Sequence, residues 1–366
     1  MAMSEDLTRL SFDRLSGWEK DTALLGAFRT FLRSAEAGLR AATNPGTLGI
    51  PPESFHPAFV AATNDPCRNE HEARAFFETF FRPYLLSPKS GEKPLITGYY
   101  QPTHKASLVQ TERFRHPLYR QPHDLVSVEP GSVPGLPHDY AFARQTKTGL
   151  IPYFDRRAID EGALEDRGLE VAWLESRVDV FFIHVQGSSL LELPDGRTLR
   201  VGYAAKSGHP FTGIGRYLID LGEISADEVS MQTIRGWLDE NPARTDEVLW
   251  RNRSYIFFGT PGDSGHDGPE GASGVNLVAG RSVAVDSQRH VWGTPIFISS
   301  TSRINFGNGG ELPRLMIAQD TGSAIRGNCR ADLFMGTGEE AGALAGGLKE
   351  TGSFHLLIPI TASGRL

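Results

Sequence analysis

Nineteen of the 40 glycines fall between residues 259 and 352, about a quarter of the 366-residue chain. Each interior glycine costs a helix roughly 1 kcal/mol relative to alanine, so this quarter of the protein cannot be mainly helical. Between the glycines lie short apolar runs: Ser254–Phe258, Ser282–Asp286, Pro295–Ser299, Leu315–Gln319, Ala331–Met335 and Phe354–Ile358. A single helical segment, Glu339–Glu350, is interposed. Many short strands joined by Gly, Pro and Asn turns predict a small closed barrel.

The rest of the chain has another texture. Trp18, Leu24, Leu25, Phe28, Phe31 and Leu32 recur at helical spacing, as do Phe76, Phe77, Phe80 and Phe81 within Glu72–Leu86. Both stripes read as core-facing helix surfaces. Leu95–Pro102 reads as a strand that a proline ends. Thr103–Pro152 is loop-rich. Strands are predicted at Val178–Val185 and Arg197–Ala204, with Pro194-Asp195-Gly196-Arg197 as a turn before the second. A helix is predicted over Asp227–Glu240, which Asn241-Pro242 ends. At this length two domains are expected.

Several classes of function are disfavoured. The net charge is −7, where a nucleic-acid binder needs a surplus of cations to neutralise phosphates. Two cysteines, Cys67 and Cys329, lack the number for a disulfide framework and the spacing for zinc. His71-Glu72-Ala73-Arg74-Ala75 begins like a zinc-protease helix but carries Ala75 where the second histidine belongs. Gly262-Asp263-Ser264-Gly265 resembles a serine-nucleophile loop, yet His266 follows it and no matching histidine segment lies upstream. Gly336-Thr337-Gly338-Glu339-Glu340-Ala341 fits the loose dinucleotide fingerprint, but too little chain remains for a βαβ unit. No run reaches the roughly 18 apolar residues of a membrane helix.

Three aspartates stand in unusual company. Asp320 ends the apolar run Ile317–Gln319 and enters Thr321-Gly322. Asp332 sits between Ala331 and Leu333, and Asp286 ends Ser282–Val285. Such carboxylates can cap turns by accepting backbone N–H groups. They can also project into a cleft with a shifted pKa and act on a substrate. Composition leaves both readings open, with Asp332 the stronger candidate for chemistry because its neighbours are apolar.

These segments match a known pattern. Asp320-Thr-Gly-Ser-Ala-Ile-Arg-Gly327 followed by Arg330-Ala-Asp-Leu-Phe-Met-Gly-Thr-Gly338 resembles the membrane-bound lytic murein transglycosylase A family. Four further stretches agree in order: Ile96–Pro102, Phe182–Ser188, Arg200–Tyr203 and Arg281–Asp286. The spacing between Asp320 and Asp332 is slightly wider than the family pattern, and Ser323 stands where many relatives carry glycine. The resemblance implies a mainly β protein with N-terminal helices: a double-psi β-barrel domain from residues 1–102 with 247–366, and a smaller β-domain inserted at 103–246. A groove between them would hold a peptidoglycan glycan strand. The implied reaction cleaves the β-1,4 bond between N-acetylmuramic acid and N-acetylglucosamine, leaving a 1,6-anhydro end, without metal or cofactor. Asp332 is carried over as the catalytic residue, Asp320 as its companion and Asp286 as a third aspartate of the site. Tyr99, Tyr100, Gln101, Gln186 and Tyr203 are the expected sugar contacts, by stacking and amide hydrogen bonding, while His184, which alternates with apolar residues, reads better as core. The implied setting is periplasmic, as a monomer held at the outer membrane by a signal or lipid anchor absent from this sequence.

One carboxyl can suffice for such a reaction. The attacking group is the sugar's own C6 hydroxyl, already close to C1, so proximity supplies much of the rate. The same carboxyl protonates the leaving oxygen and then takes the C6 hydroxyl proton. Two alternatives remain: an inverting glycoside hydrolase, which needs a second carboxyl about 6.5–9.5 Å away, and a wall-binding protein without turnover.

Overall fold

A computed structural model describes every residue except 1–5, 42, 90, 261–267, 301–303, 305, 307–311 and 364–366. The Gly262–His266 segment therefore lies outside the described residues. The chain divides into two compact units, Met1–Tyr100 with Gly265–Leu366, and Gln101–Ser264.

In the first unit the two phenylalanine stripes form helices as expected. Leu24–Arg40 buries Leu24, Ala27, Phe28, Phe31 and Ala35, and Glu70–Phe80 buries Ala73, Phe76 and Phe77. Asn69 caps the second helix by accepting from the Glu72 amide. The rings interlock: Phe31 lies 5.6 Å from Phe76 and 5.7 Å from Phe81 between centroids. The helical pattern of Glu72–Leu86 stops at Phe80, because Phe81–Leu86 joins the sheet as a strand.

That sheet has nine strands. Their order is Leu7–Arg9, Phe81–Leu86, Gly352–Pro359, Pro295–Ser300, Arg314–Asp320, Ser282–Ala284, Arg330–Thr337, Leu95–Gln101 and Lys349–Glu350. The strands predicted in the glycine-rich stretch are all present, and the protein is mainly β with several helices. The pairings among the described residues give an open order with two end strands, not a closed barrel. The predicted helix Glu339–Glu350 ends at Gly346, where Gly346-Gly347 gives way to the short strand Lys349–Glu350.

Buried polar contacts tie the helices to the strand that ends in Asp320. Asp21 pairs with Arg281 at 3.0 Å and also accepts from the Leu315 amide at 2.8 Å. Gln319 accepts from Ser282 and donates to the Thr30 carbonyl and to Ser34 Oγ, both on the first helix.

The second unit holds a six-stranded sheet in the order Ile256–Gly259, Thr198–Lys206, Ser188–Glu192, Thr103–Ser107, Glu170–Leu174, His116–Tyr119. A three-stranded sheet of Leu125–Ser127, Phe142–Thr146 and Gly149–Ile151 accompanies it. The predicted turn at Pro194–Arg197 joins Ser188–Glu192 to Thr198–Lys206, with Gly196 at φ 83° and the Arg197 amide donating to Asp195. The predicted strand Val178–Val185 is instead the helix Arg177–Gln186. Ser176 caps its start through the Val178 and Asp179 amides, and Gly187 ends it at φ 77°. The continuous apolar run misled because this helix is covered on two sides. Val180 and Ile183 pack with sheet residues Leu118 and Leu174, while Phe181 and Phe182 pack with Leu218 and Leu238.

Candidate active site

The central strand Ser282–Ala284 sets the spacing of the two best candidates. Ala284 is the register partner of Asp320 on its parallel side and of Asp332 on its antiparallel side. The two aspartates therefore flank one strand. At about 4.8 Å per strand spacing their backbones lie on the order of 10 Å apart.

Leu95–Gln101 supplies their partners. Side chains alternate across a strand, so Thr97 and Tyr99 share a face. Thr97 Oγ1 donates to Asp332 Oδ1 at 2.6 Å, and Tyr99 Oη donates to Asp320 Oδ2 at 2.7 Å. The second of these bonds bends the sheet. Tyr99 and Asp320 are three strand spacings apart in the order, roughly 14 Å if the sheet were flat. Side chains stand about perpendicular to a sheet, so a direct hydrogen bond over that span requires the strands to curl towards each other.

Asp320 has two more donors. The Ala272 and Thr321 amides both donate to its Oδ1 at 2.9 Å. Gly271 makes the first possible: a Cβ there would come 2.8 Å from the Gln319 carbonyl oxygen, so only glycine lets this loop lie against the strand. Burial pushes the Asp320 carboxyl above its ordinary value, the three hydrogen bonds pull back, and the Asp332 charge adds to the rise. Burial likewise raises Asp332, against the pull of the Arg330 guanidinium and the Thr97 hydroxyl. Both residues are only half-buried, so a ligand can reach them. Asp332 Oδ2 has no hydrogen-bond partner among the described residues. A raised carboxyl with one oxygen held and one open is fitted to pass a proton to a substrate. The phenol of Tyr99 is itself pushed well above its ordinary value, by burial and then by both carboxylates, so it keeps its proton.

The other expected residues stand as follows. Tyr100 points away from Thr97 and Tyr99, its ring against Gly342 of the helix Glu339–Gly346. Asp286 is 4% exposed, and its carboxylate accepts from the Gln288 and Gly327 amides and from Arg326, which fastens the turn after Asp320. Gln101, Gln186 and Tyr203 belong to the second unit. Gln101 is buried, Gln186 ends the helix Arg177–Gln186 and donates to Met231 Sδ, and Tyr203 is 52% exposed on Thr198–Lys206. His184 is a core residue whose Nδ1 lies 3.1 Å from Arg156 Nη2, and burial holds its pKa well below the ordinary range. Sequence reasoning missed Thr97 and Arg330. The signal for Thr97 was its position two residues before Tyr99, and for Arg330 its position two before Asp332.

Residues 95–259 match the model of the MltA specific insert domain, and residues 281–358 match the 3D domain. The chain is 34% identical over 275 residues to the membrane-bound lytic murein transglycosylase A of Escherichia coli K12, covering 74% of this chain and 67% of that protein. Among solved structures, a membrane-bound lytic murein transglycosylase from Agrobacterium tumefaciens superposes with TM-score 0.89 at 41% identity, over 98% of this chain and 99% of that one. E. coli MltA with bound chitohexaose superposes with TM-score 0.65 at 26% identity, over 90% and 89%.

Proposed function

The chain belongs to the membrane-bound lytic murein transglycosylase A family and is a peptidoglycan lytic transglycosylase, and we propose that Asp332 performs the cleavage. The observation that carries this reading is the Asp332 carboxyl: raised by burial, fixed through Oδ1 by Thr97, and open at Oδ2. Asp332 gives its proton to the glycosidic oxygen as the C1–O bond of the muramoyl residue breaks. The resulting carboxylate takes the proton of the C6 hydroxyl as O6 bonds to C1. The carboxyl is restored, no water is consumed, and the product carries a 1,6-anhydro ring.

The substrate is a glycan strand of peptidoglycan, a reading supported by the chitohexaose bound to the E. coli relative. Gln186 and the half-exposed Tyr203 are the proposed sugar contacts of the second unit, and Tyr99 that of the first; Gln101 is fully buried and drops out. The curl that joins Tyr99 to Asp320, and the parallel pair Ser282–Ala284 with Arg314–Asp320, support a double-psi barrel. The protein acts in the periplasm in association with the outer membrane; no described helix is long and apolar enough to cross a membrane.

The test is Asp332→Asn on purified sacculi. Lysis is expected to be abolished with the fold intact, and substantial residual lysis removes Asp332 from this role. The second raised carboxyl, Asp320, is what keeps an inverting hydrolase in view. A free reducing end in the product would favour it.

A further inference from the structure

The two carboxyls of the site are held by different kinds of donor. Asp320 Oδ1 accepts from two backbone amides, Ala272 and Thr321. An amide N–H cannot turn round to accept, so this oxygen can carry the proton only by giving up at least one of these bonds. Its Oδ2 accepts from Tyr99, a phenol that burial keeps protonated and that, like Thr97, can also accept, so the difference between the two carboxyls rests on the amides. Asp332 meets one hydroxyl, Thr97, which can donate or accept, and its Oδ2 is open. Hydrogen bonds to the charged form therefore favour the anion at Asp320 much more than at Asp332.

We propose that Asp320 is the standing anion of the pair, and that its charge keeps the shared proton on Asp332 until a glycosidic oxygen takes it. Asp320 is thus a positioning residue for a proton, acting through Asp332; the proposal rests on the reading of Asp332 as the acid. Mutual repulsion belongs to the pair, and whichever group ionises second bears it. The donor count makes that group Asp332, so the rise that a charged Asp332 would cause at Asp320 falls on Asp332 instead. Among the described residues, the other charged or titratable groups facing the pair are Tyr99 and Arg330. Arg330 favours the Asp332 anion, but it is a single charge that also donates to the Ala331 carbonyl at 2.7 Å. It sets an upper bound on how firmly the proton is held.

The test is the pH dependence of kcat/KM for the full chain on purified glycan strands, in the wild type, Asp320→Asn, Tyr99→Phe and Asp332→Asn. Asparagine keeps the amide bonds at Oδ1, and Tyr99 can accept from its Nδ2, so the fold is kept. Without the anion, Asp332 loses its proton more easily. The basic limb of Asp320→Asn is expected to move down by about one pH unit or more, with activity retained below it. Tyr99→Phe does the reverse. It removes a donor from the Asp320 anion, so the proton is shared with Asp320, the plateau falls and the limb moves up. Opposite displacements support the proposal. An unmoved limb in Asp320→Asn makes Asp320 only a turn cap, and a folded Asp320→Asn inactive at every pH makes it an acid or base itself; both overturn the proposal. Asp332→Asn separates the two readings. Activity in that variant defeats the role of Asp332, whereas an inert Asp332→Asn beside an unmoved limb defeats the role of Asp320 alone.

Discussion

Thr97 Oγ1 donates to Asp332 Oδ1 across 2.6 Å, from a strand that enters the site nearly 240 residues earlier in sequence. This bond chooses which carboxyl oxygen faces the substrate. Thr97→Val keeps the shape and removes the hydroxyl. kcat is expected to fall about tenfold, roughly 1.4 kcal/mol, as for one ordinary hydrogen bond. KM should change little and Thr97→Ser should restore the rate; steady-state kinetics on glycan strands checks both.

Tyr99 and Tyr100 are adjacent and do different work. Tyr100→Ala removes a ring packed on the Glu339–Gly346 helix and is expected to cost on the order of 2 kcal/mol of stability. Tyr99→Phe should leave the melting temperature within a few degrees and act on catalysis. Thermal melts beside rate measurements separate the two.

Asp332 is expected to weaken the fold it serves. Its folded carboxyl is raised, chiefly by burial, above the unfolded value of 3.8. A raised carboxyl adds stability only below its unfolded value, and loses it as pH rises through the folded one. Asp332→Asn should therefore melt higher than the wild type at neutral pH, with the gap closing towards pH 3.8. Melting temperatures across that range give the sign.

The buried Asp21–Arg281 pair titrates in the opposite sense. Burial alone would raise Asp21, but Arg281 and the Leu315 and Ala23 amides outweigh it and hold the carboxyl below 3.8. Its contribution is present above that value and lost as pH falls through the folded one. Arg281→Met strands the Asp21 charge and is expected to cost roughly 3–5 kcal/mol in denaturant unfolding near neutral pH.

Much of this was legible in the sequence. The glycine-punctuated runs of residues 259–352 located the strands of that stretch except Lys349–Glu350, because turn chemistry is local. The phenylalanine stripes gave both helices for the same reason. Val178–Val185 misled because a helix buried on two sides shows no polar face, and the cap Ser176 and stop Gly187 were the better signals. Asp320 and Asp332 stood out through their apolar and glycine neighbours. Thr97 did not, since its partner lies far away in sequence and only the pairing of strands brings the two together. Asp286 looked like its two companions, yet it holds the turn after Asp320 through backbone amides, a distinction that depends on where a loop returns.

The central claim is that one carboxyl drives attack by the sugar's own C6 hydroxyl, and mass spectrometry of the muropeptides released from sacculi in heavy-oxygen water tests it most directly. The expected products end in 1,6-anhydro-muramoyl groups that carry no solvent oxygen. Reducing ends labelled with the heavy oxygen would contradict it, because water rather than O6 would then be the nucleophile.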